Sequence, residues 1–298
     1  MRQRTALSAG ALAAVGALAG CNAIFGLDVH LADGGGVGSR PPVTPEPCAA
    51  PLPLCSQMSV PVVGDWDGDG TDTPGLYDDG RWCITNRQKA GDVCIAYLLG
   101  TREDTPVVGD WNRDGVDTPG WFHELRWYLT EAEPNGDPAD FSWGGVGVEP
   151  LAGNWDGQGG DTPGSFIEVA GTTEWTMSNR NAAGGNDYQF RWGSTDVVRL
   201  VGDWDGNGTQ TPAWFRAGTW TFTNVNAGDG PILELHWGAN GDIPLVGDWD
   251  GDGFDTVGRY DDGTWSLTNQ HIDTLVGSSG PTAITTFDWG IRSPGVAR

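Results

Sequence analysis

The sequence predicts an all-β chain, a five-bladed β-propeller of four-stranded blades, on two observations. The first is repetition. PVVGDWDGDGTDTPG at Pro61 returns as PVVGDWNRDGVDTPG at Pro106, LAGNWDGQGGDTPG at Leu151, LVGDWDGNGTQTPA at Leu200 and PLVGDWDGDGFDTVG at Pro244. The second is spacing. The leading polar position of each copy is Asp65, Asp110, Asn154, Asp203 or Asp248, in steps of 45, 44, 49 and 45 residues. Such a period holds one short four-stranded sheet, which cannot bury its faces alone and needs neighbours to complete a core. Closing the units into a ring removes the exposed ends that a linear stack must cap. An open β solenoid competes, but the four-strand period and the absence of distinct capping repeats argue against it.

Within the first unit, Pro61-Val62-Val63 enters the acidic loop and Gly75-Leu76-Tyr77 leaves it, followed by a turn at Asp78-Asp79-Gly80. Arg81 to Asn86 reads as a third strand and Cys94 to Leu98 as a fourth, from their apolar and β-branched content between turn signals. Third strands recur around Trp127, Trp175, Trp220 and Trp265. Fourth strands are expected at Phe141–Gly144, Phe190–Gly193, Leu235–Gly238 and Phe287–Gly290, so the repeats fill residues 58–290. Every unit begins in the same phase, so the sequence identifies no strand exchanged between the chain ends and leaves the closure mechanism open, with packing between blades 1 and 5 as the alternative to an exchanged strand. The recurring tryptophans, including Trp66, Trp111, Trp155, Trp204 and Trp249 in the loops, read first as filling between twisted sheets. Exposed indoles lining a groove, a carbohydrate-binding surface included, are the second reading.

The acidic loops carry the chemical signal. Asp65, Asp67 and Asp69 alternate through a Gly-rich turn, and Asp248, Asp250 and Asp252 repeat them. Alternating carboxylates converge when the chain curls around a hard, oxygen-preferring cation, and glycine permits the tight bend. Calcium suits this pattern because it accepts several oxygen ligands in irregular geometry; magnesium requires a compact octahedron. The second loop offers Asp110, Asn112 and Asp114, the third Asn154, Asp156 and Gln158, the fourth Asp203, Asp205 and Asn207. An amide keeps an oxygen donor but removes charge, so weaker binding or a metal-free turn held by side-chain to backbone hydrogen bonds competes there.

These loops resemble the calcium-binding turns of FG-GAP and VCBS-type repeats, including those of integrin-like β-propellers, over most of residues 58–290. The resemblance implies a propeller with a role in adhesion or recognition. It implies ligation by Asp65, Asp67 and Asp69, by Asp110, Asn112 and Asp114, and by Asp248, Asp250 and Asp252. The family loop has a further acid eight positions after its first ligand. Here Thr73, Thr118 and Thr256 stand at that position, with Asp72, Asp117 and Asp255 one residue earlier. The displaced acid, the threonine oxygen, backbone or water would complete a shell, or the turn is purely structural.

The amino terminus speaks to location. Arg2 and Arg4 precede an Ala-rich apolar segment ending in Leu18-Ala19-Gly20-Cys21, which resembles a bacterial lipoprotein signal with residues 1–20 removed and Cys21 lipidated. Ordinary secretion with Cys21 free, or an uncleaved anchor, are the alternatives. Residues 21–57, with Gly34-Gly35-Gly36 and Pro41-Pro42, read as a tether, and 291–298 as a tail. This places the propeller at the bacterial cell envelope, at the outer membrane or cell surface, joined to membrane by its lipid. In an exported protein Cys48 with Cys55 and Cys83 with Cys94 are sensible disulfides, although other pairings are open.

Forty Asp and Glu against 16 Lys and Arg give a formal charge of −24, which repels nucleic acid and favours solubility. The residues support a calcium-stabilised binding or adhesion scaffold whose partner is an extracellular or envelope protein or a glycan. A lectin-like propeller is the alternative. A polysaccharide-active enzyme has least support, since regularly recurring acids are better explained as repeated turns than as a catalytic pair. His123, His236 and His271 form no recognisable motif and read as ordinary surface or hydrogen-bonding residues.

Overall fold

A computed structural model describes residues 59–92, 94–130 and 139–290. The expected leader (1–20), Cys21, the expected tether with Cys48 and Cys55, and the expected tail (291–298) lie outside the described residues. Within them the chain forms five four-stranded antiparallel sheets, each of four consecutive strands paired in chain order. Blade 1 consists of Val60–Gly64, Thr73–Asp78, Arg81–Ile84 and Ile95–Leu98. Its register carries Val62 opposite Gly75, Gly75 opposite Ile84 and Ile84 opposite Ile95. Blade 2 runs from Thr105–Gly109 to Ala139–Ser142, blade 3 from Glu149–Gly153 to Tyr188–Arg191, blade 4 from Val198–Gly202 to Leu233–His236, and blade 5 from Ile243–Gly247 to Thr285–Asp288. First strands of successive blades touch, and that of blade 5 touches that of blade 1, so the ring closes without an exchanged strand. The one helix among the described residues, Ile272–Leu275, lies in a blade 5 loop and buries Ile272 and Leu275 against the core of blade 4.

Thirteen of the sixteen tryptophans are buried, which assigns them to packing. The third-strand set, Trp82, Trp127, Trp175, Trp220 and Trp265, is fully enclosed. Each of their indole N–H groups donates, over 2.9 to 3.2 Å, to a carbonyl just past the fourth strand: Leu99, Trp143, Trp192, Trp237 or Trp289. A buried indole thereby finds its partner inside its own blade.

This bond corrects the expected fourth strands of blades 2 to 5. They end before their Trp-Gly pairs, two residues earlier than the apolar pattern suggested. Gly144, Gly193, Gly238 and Gly290 take positive φ between 91° and 109°, which turns the chain out of extended conformation. The carbonyl of the preceding tryptophan is then free to accept from the indole. In blade 1 the third strand likewise stops at Ile84, short of the expected Asn86.

Candidate functional site: the acidic loops and the ring they join

In an up-and-down meander, the loops joining first to second strands all emerge at one end of the blades. The five acidic loops therefore share one face. In four of them the leading carboxylate organises the turn by accepting backbone N–H bonds. Asp65 takes those of Gly68, Asp69 and Gly70; Asp248 takes those of Gly251, Asp252 and Gly253. Asp110 and Asp203 act in the same way. Asn154 differs: its amide donates to the Gly208 carbonyl in the neighbouring loop.

Asp65, Asp67 and Asp69 each present a carboxylate oxygen within 4.8 Å of the others, as do Asp248, Asp250 and Asp252. Calcium–oxygen bonds of about 2.3 to 2.6 Å put two ligands of one ion no more than about 5 Å apart, so both triplets fit such an ion. In the second loop the Asn112 amide already donates to Asp114 at 3.1 Å. In the fourth, Asp205 accepts from Asn224 at 3.3 Å. In the third, Asp156 accepts the Gln158 N–H and Gln158 turns to the Asp156 carbonyl.

The displaced acids face elsewhere. Asp117 accepts the Asp65 N–H at 2.9 Å, and its own N–H donates to the Asp65 carbonyl. Asp161 holds Asp110, Gln210 holds Asn154, Asp255 holds Asp203, and Asp72 holds Asp248 by the same reciprocal pair. These five clamps join every blade to the next, and the last closes the ring. Thr73 and Thr256 also point away from their loops, to the Gly64 and Gly247 carbonyls. The displaced acids are therefore engaged between blades, and a cation in these loops would have the triplet, backbone and water as its donors.

Asp72, Asp117, Asp161, Gln210 and Asp255 line a central cavity of about 160 Å³. Burial raises the Asp161 and Asp255 pKa values to about 7. Asp72 and Asp117 are pushed well above the usual carboxylate range, by burial and then by neighbouring carboxylates. Partial burial also raises Asp203 and Asp248, against the backbone N–H bonds that favour their ionised forms.

Neighbouring loops also interlock sterically. Val116 packs over Gly68, Thr209 over Gly157, and Phe254 over Gly206. At the interface of blades 2 and 3 the sizes are reversed, with Arg113, at φ 68°, standing over Gly160.

His271, read as ordinary from the sequence, places Nε2 2.7 Å from the Asp252 carboxylate and stacks on Phe254. Its distance of 19 residues from Asp252 hid that contact. His123 pairs with Asp104 at 2.7 Å, and His236 with Thr219 at 3.2 Å. Cys83 and Cys94 are disulfide-bonded, with Cα atoms 5.2 Å apart, joining the third strand of blade 1 to the residue just before its fourth.

Among the described residues no helix is long and apolar enough to cross a membrane. No protein-family model matches the chain, and no curated protein matches it. Among solved structures it is similar to an Agrocybe aegerita lectin, described as specifically recognising non-reducing terminal N-acetylglucosamine. The TM-score is 0.43 and the identity 11%, over 78% of this chain and 81% of that one. Likeness at this level carries no argument about a ligand.

Proposed function

We propose that this chain is a calcium-stabilised binding or adhesion scaffold, held at the bacterial cell envelope by lipid on Cys21. The observation that carries the calcium part is the convergence of the Asp65 and Asp248 triplets, each within the span of one calcium shell. Calcium there neutralises clustered carboxylates and stiffens loops on one face of the ring, leaving the connecting surfaces to select an envelope protein or glycan. The envelope location is supported by the Arg2, Arg4 and Leu18-Ala19-Gly20-Cys21 pattern, and the FG-GAP and VCBS-like reading by the loops and their spacing.

One observation favours a lectin-like reading. Trp121 and Tyr128 are half-buried and stack with ring centroids 5.0 Å apart and planes 7° apart, with the Arg126 guanidinium 5.9 Å from the Tyr128 ring. A flat aromatic platform beside a polar group suits the apolar face of a sugar ring.

Thermal melts in calcium, magnesium and chelator test the calcium reading. The expected result is a rise in melting temperature with calcium that shrinks in an Asp65→Asn, Asp67→Asn, Asp69→Asn triple variant. An unchanged rise would remove that loop as a site. Glycan screening of the wild type and Trp121→Ala separates the two partner classes: sugar binding lost in Trp121→Ala supports the lectin, and no sugar binding supports a protein partner.

A further inference from the structure

We infer that the Cys83–Cys94 disulfide is a redox-sensitive latch on the closure of the ring. The closing interface lies between blades 5 and 1, which are joined through space and not by a continuous sheet. The disulfide spans the connection between the third and fourth strands of blade 1, and that connection holds the interface in two places. Gln88 donates from Nε2 to the Asp72 carbonyl of blade 1 at 2.9 Å and to the Trp249 carbonyl of blade 5 at 2.7 Å. The indole N–H of Trp289, at the end of blade 5, donates to the Asp92 carbonyl at 3.3 Å. Cys83 itself packs against the cluster in which Leu76 of blade 1 meets Leu245, Trp249, Trp265 and Trp289 of blade 5.

The other interfaces lack this device. Asn181 and Asn226 make the Gln88-type bridge between blades 2 and 3 and between blades 3 and 4. Their loops hold no cysteine, and the positions corresponding to Cys83 are Tyr128, Thr176, Thr221 and Ser266. The crosslink therefore stands at the one interface whose two blades are far apart in the chain, where an opening is not limited by a short connection.

Reduction requires a dithiol. Its thiolate attacks one sulfur, the Cys83–Cys94 bond breaks, and the mixed disulfide resolves as the reductant forms its own disulfide. Two electrons and two protons pass to the protein, leaving two thiols. Both cysteines are half-buried, not enclosed. The freed connection loses its tether, and Gln88 and Asp92 lose their fixed positions at the interface.

Native-state hydrogen exchange on the oxidised full chain, the dithiol-treated chain and Cys83→Ser/Cys94→Ser tests the latch. The amides of Asp72 and Asp248, which bond across the closing interface, are expected to exchange at least about tenfold faster without the disulfide, a loss of about 1.4 kcal/mol in local stability. Those of Asn154 and Gln210, which bond across the interface of blades 3 and 4, should change little. Gln88→Ala with the disulfide intact should reproduce part of the selective opening, which keeps the test valid if the double variant fails to fold. Equal loss at all interfaces, loss confined to the ladder of blade 1, or no loss would each overturn the proposal. All samples are held in chelator, so the outcome is independent of the calcium reading.

Discussion

Asp117 joins two blades with one side chain. Its carboxylate satisfies the N–H of Asp65, 52 residues upstream, beside the central cavity, where an unpaired donor is costly. Asp117→Ala should therefore destabilise the fold by about 1 to 3 kcal/mol in a denaturant melt, while Asp117→Asn, which keeps an acceptor oxygen, should cost clearly less. Equal effects of the two would mean that the bond contributes nothing. The departure of Asp72, Asp117 and Asp255 from the expected eighth position was legible in the sequence. Their destination was not, because the N–H groups they satisfy belong to other repeats and no local pattern encodes contact between blades. The same limit applies to His271 and to Gln88, whose partners lie 19 and 161 residues away.

At the scale of the element, the blade is organised around its third-strand tryptophan. Trp175 is enclosed and bonded to the Trp192 carbonyl at 2.9 Å. Trp175→Phe should cost about 1 to 3 kcal/mol, since it leaves that carbonyl unpaired, and Trp175→Ala about 3 to 5 kcal/mol, since it also leaves a cavity. Chemical denaturation measures both, and a cost below about 1 kcal/mol for the alanine variant would show that the ring does not support the blade. First and second strands were readable from their apolar runs and flanking turns, and the observed bounds of blade 1 lie within a few residues of those expected. The fourth strands were misplaced by two residues because an aromatic residue beside glycine looks the same whether it ends a ladder or caps it. Only the indole bond from the third strand separates the two cases.

For the whole molecule, four carboxyls and one amide face a shared axis, so ring stability should depend on pH. Asp161 and Asp255 hold their protons up to about pH 7 in the fold but release them near their ordinary value of 3.8 when unfolded. Between these values the folded state binds more protons, so this contribution to stability is greatest at low pH and is lost as pH rises through about 7. In chelator, melting temperature should fall between about pH 4 and 7, and the slope should flatten in Asp161→Asn/Asp255→Asn. A slope unchanged by the double substitution would exclude these groups as its source. The five blades were legible from repeats in one phase, whereas the way the ring closes was left open by them. The clamps that close the ring were not legible, since they follow from the curvature that brings residue 72 to residue 248. The central claim remains that the acidic loops hold calcium and that calcium stabilises the ring. Calorimetric titration of the chelator-treated chain with calcium tests it most directly. The account predicts saturable binding with at least the Asp65 and Asp248 loops filling and a parallel rise in melting temperature, whereas no binding through millimolar calcium would contradict it and leave these loops as metal-free structural turns.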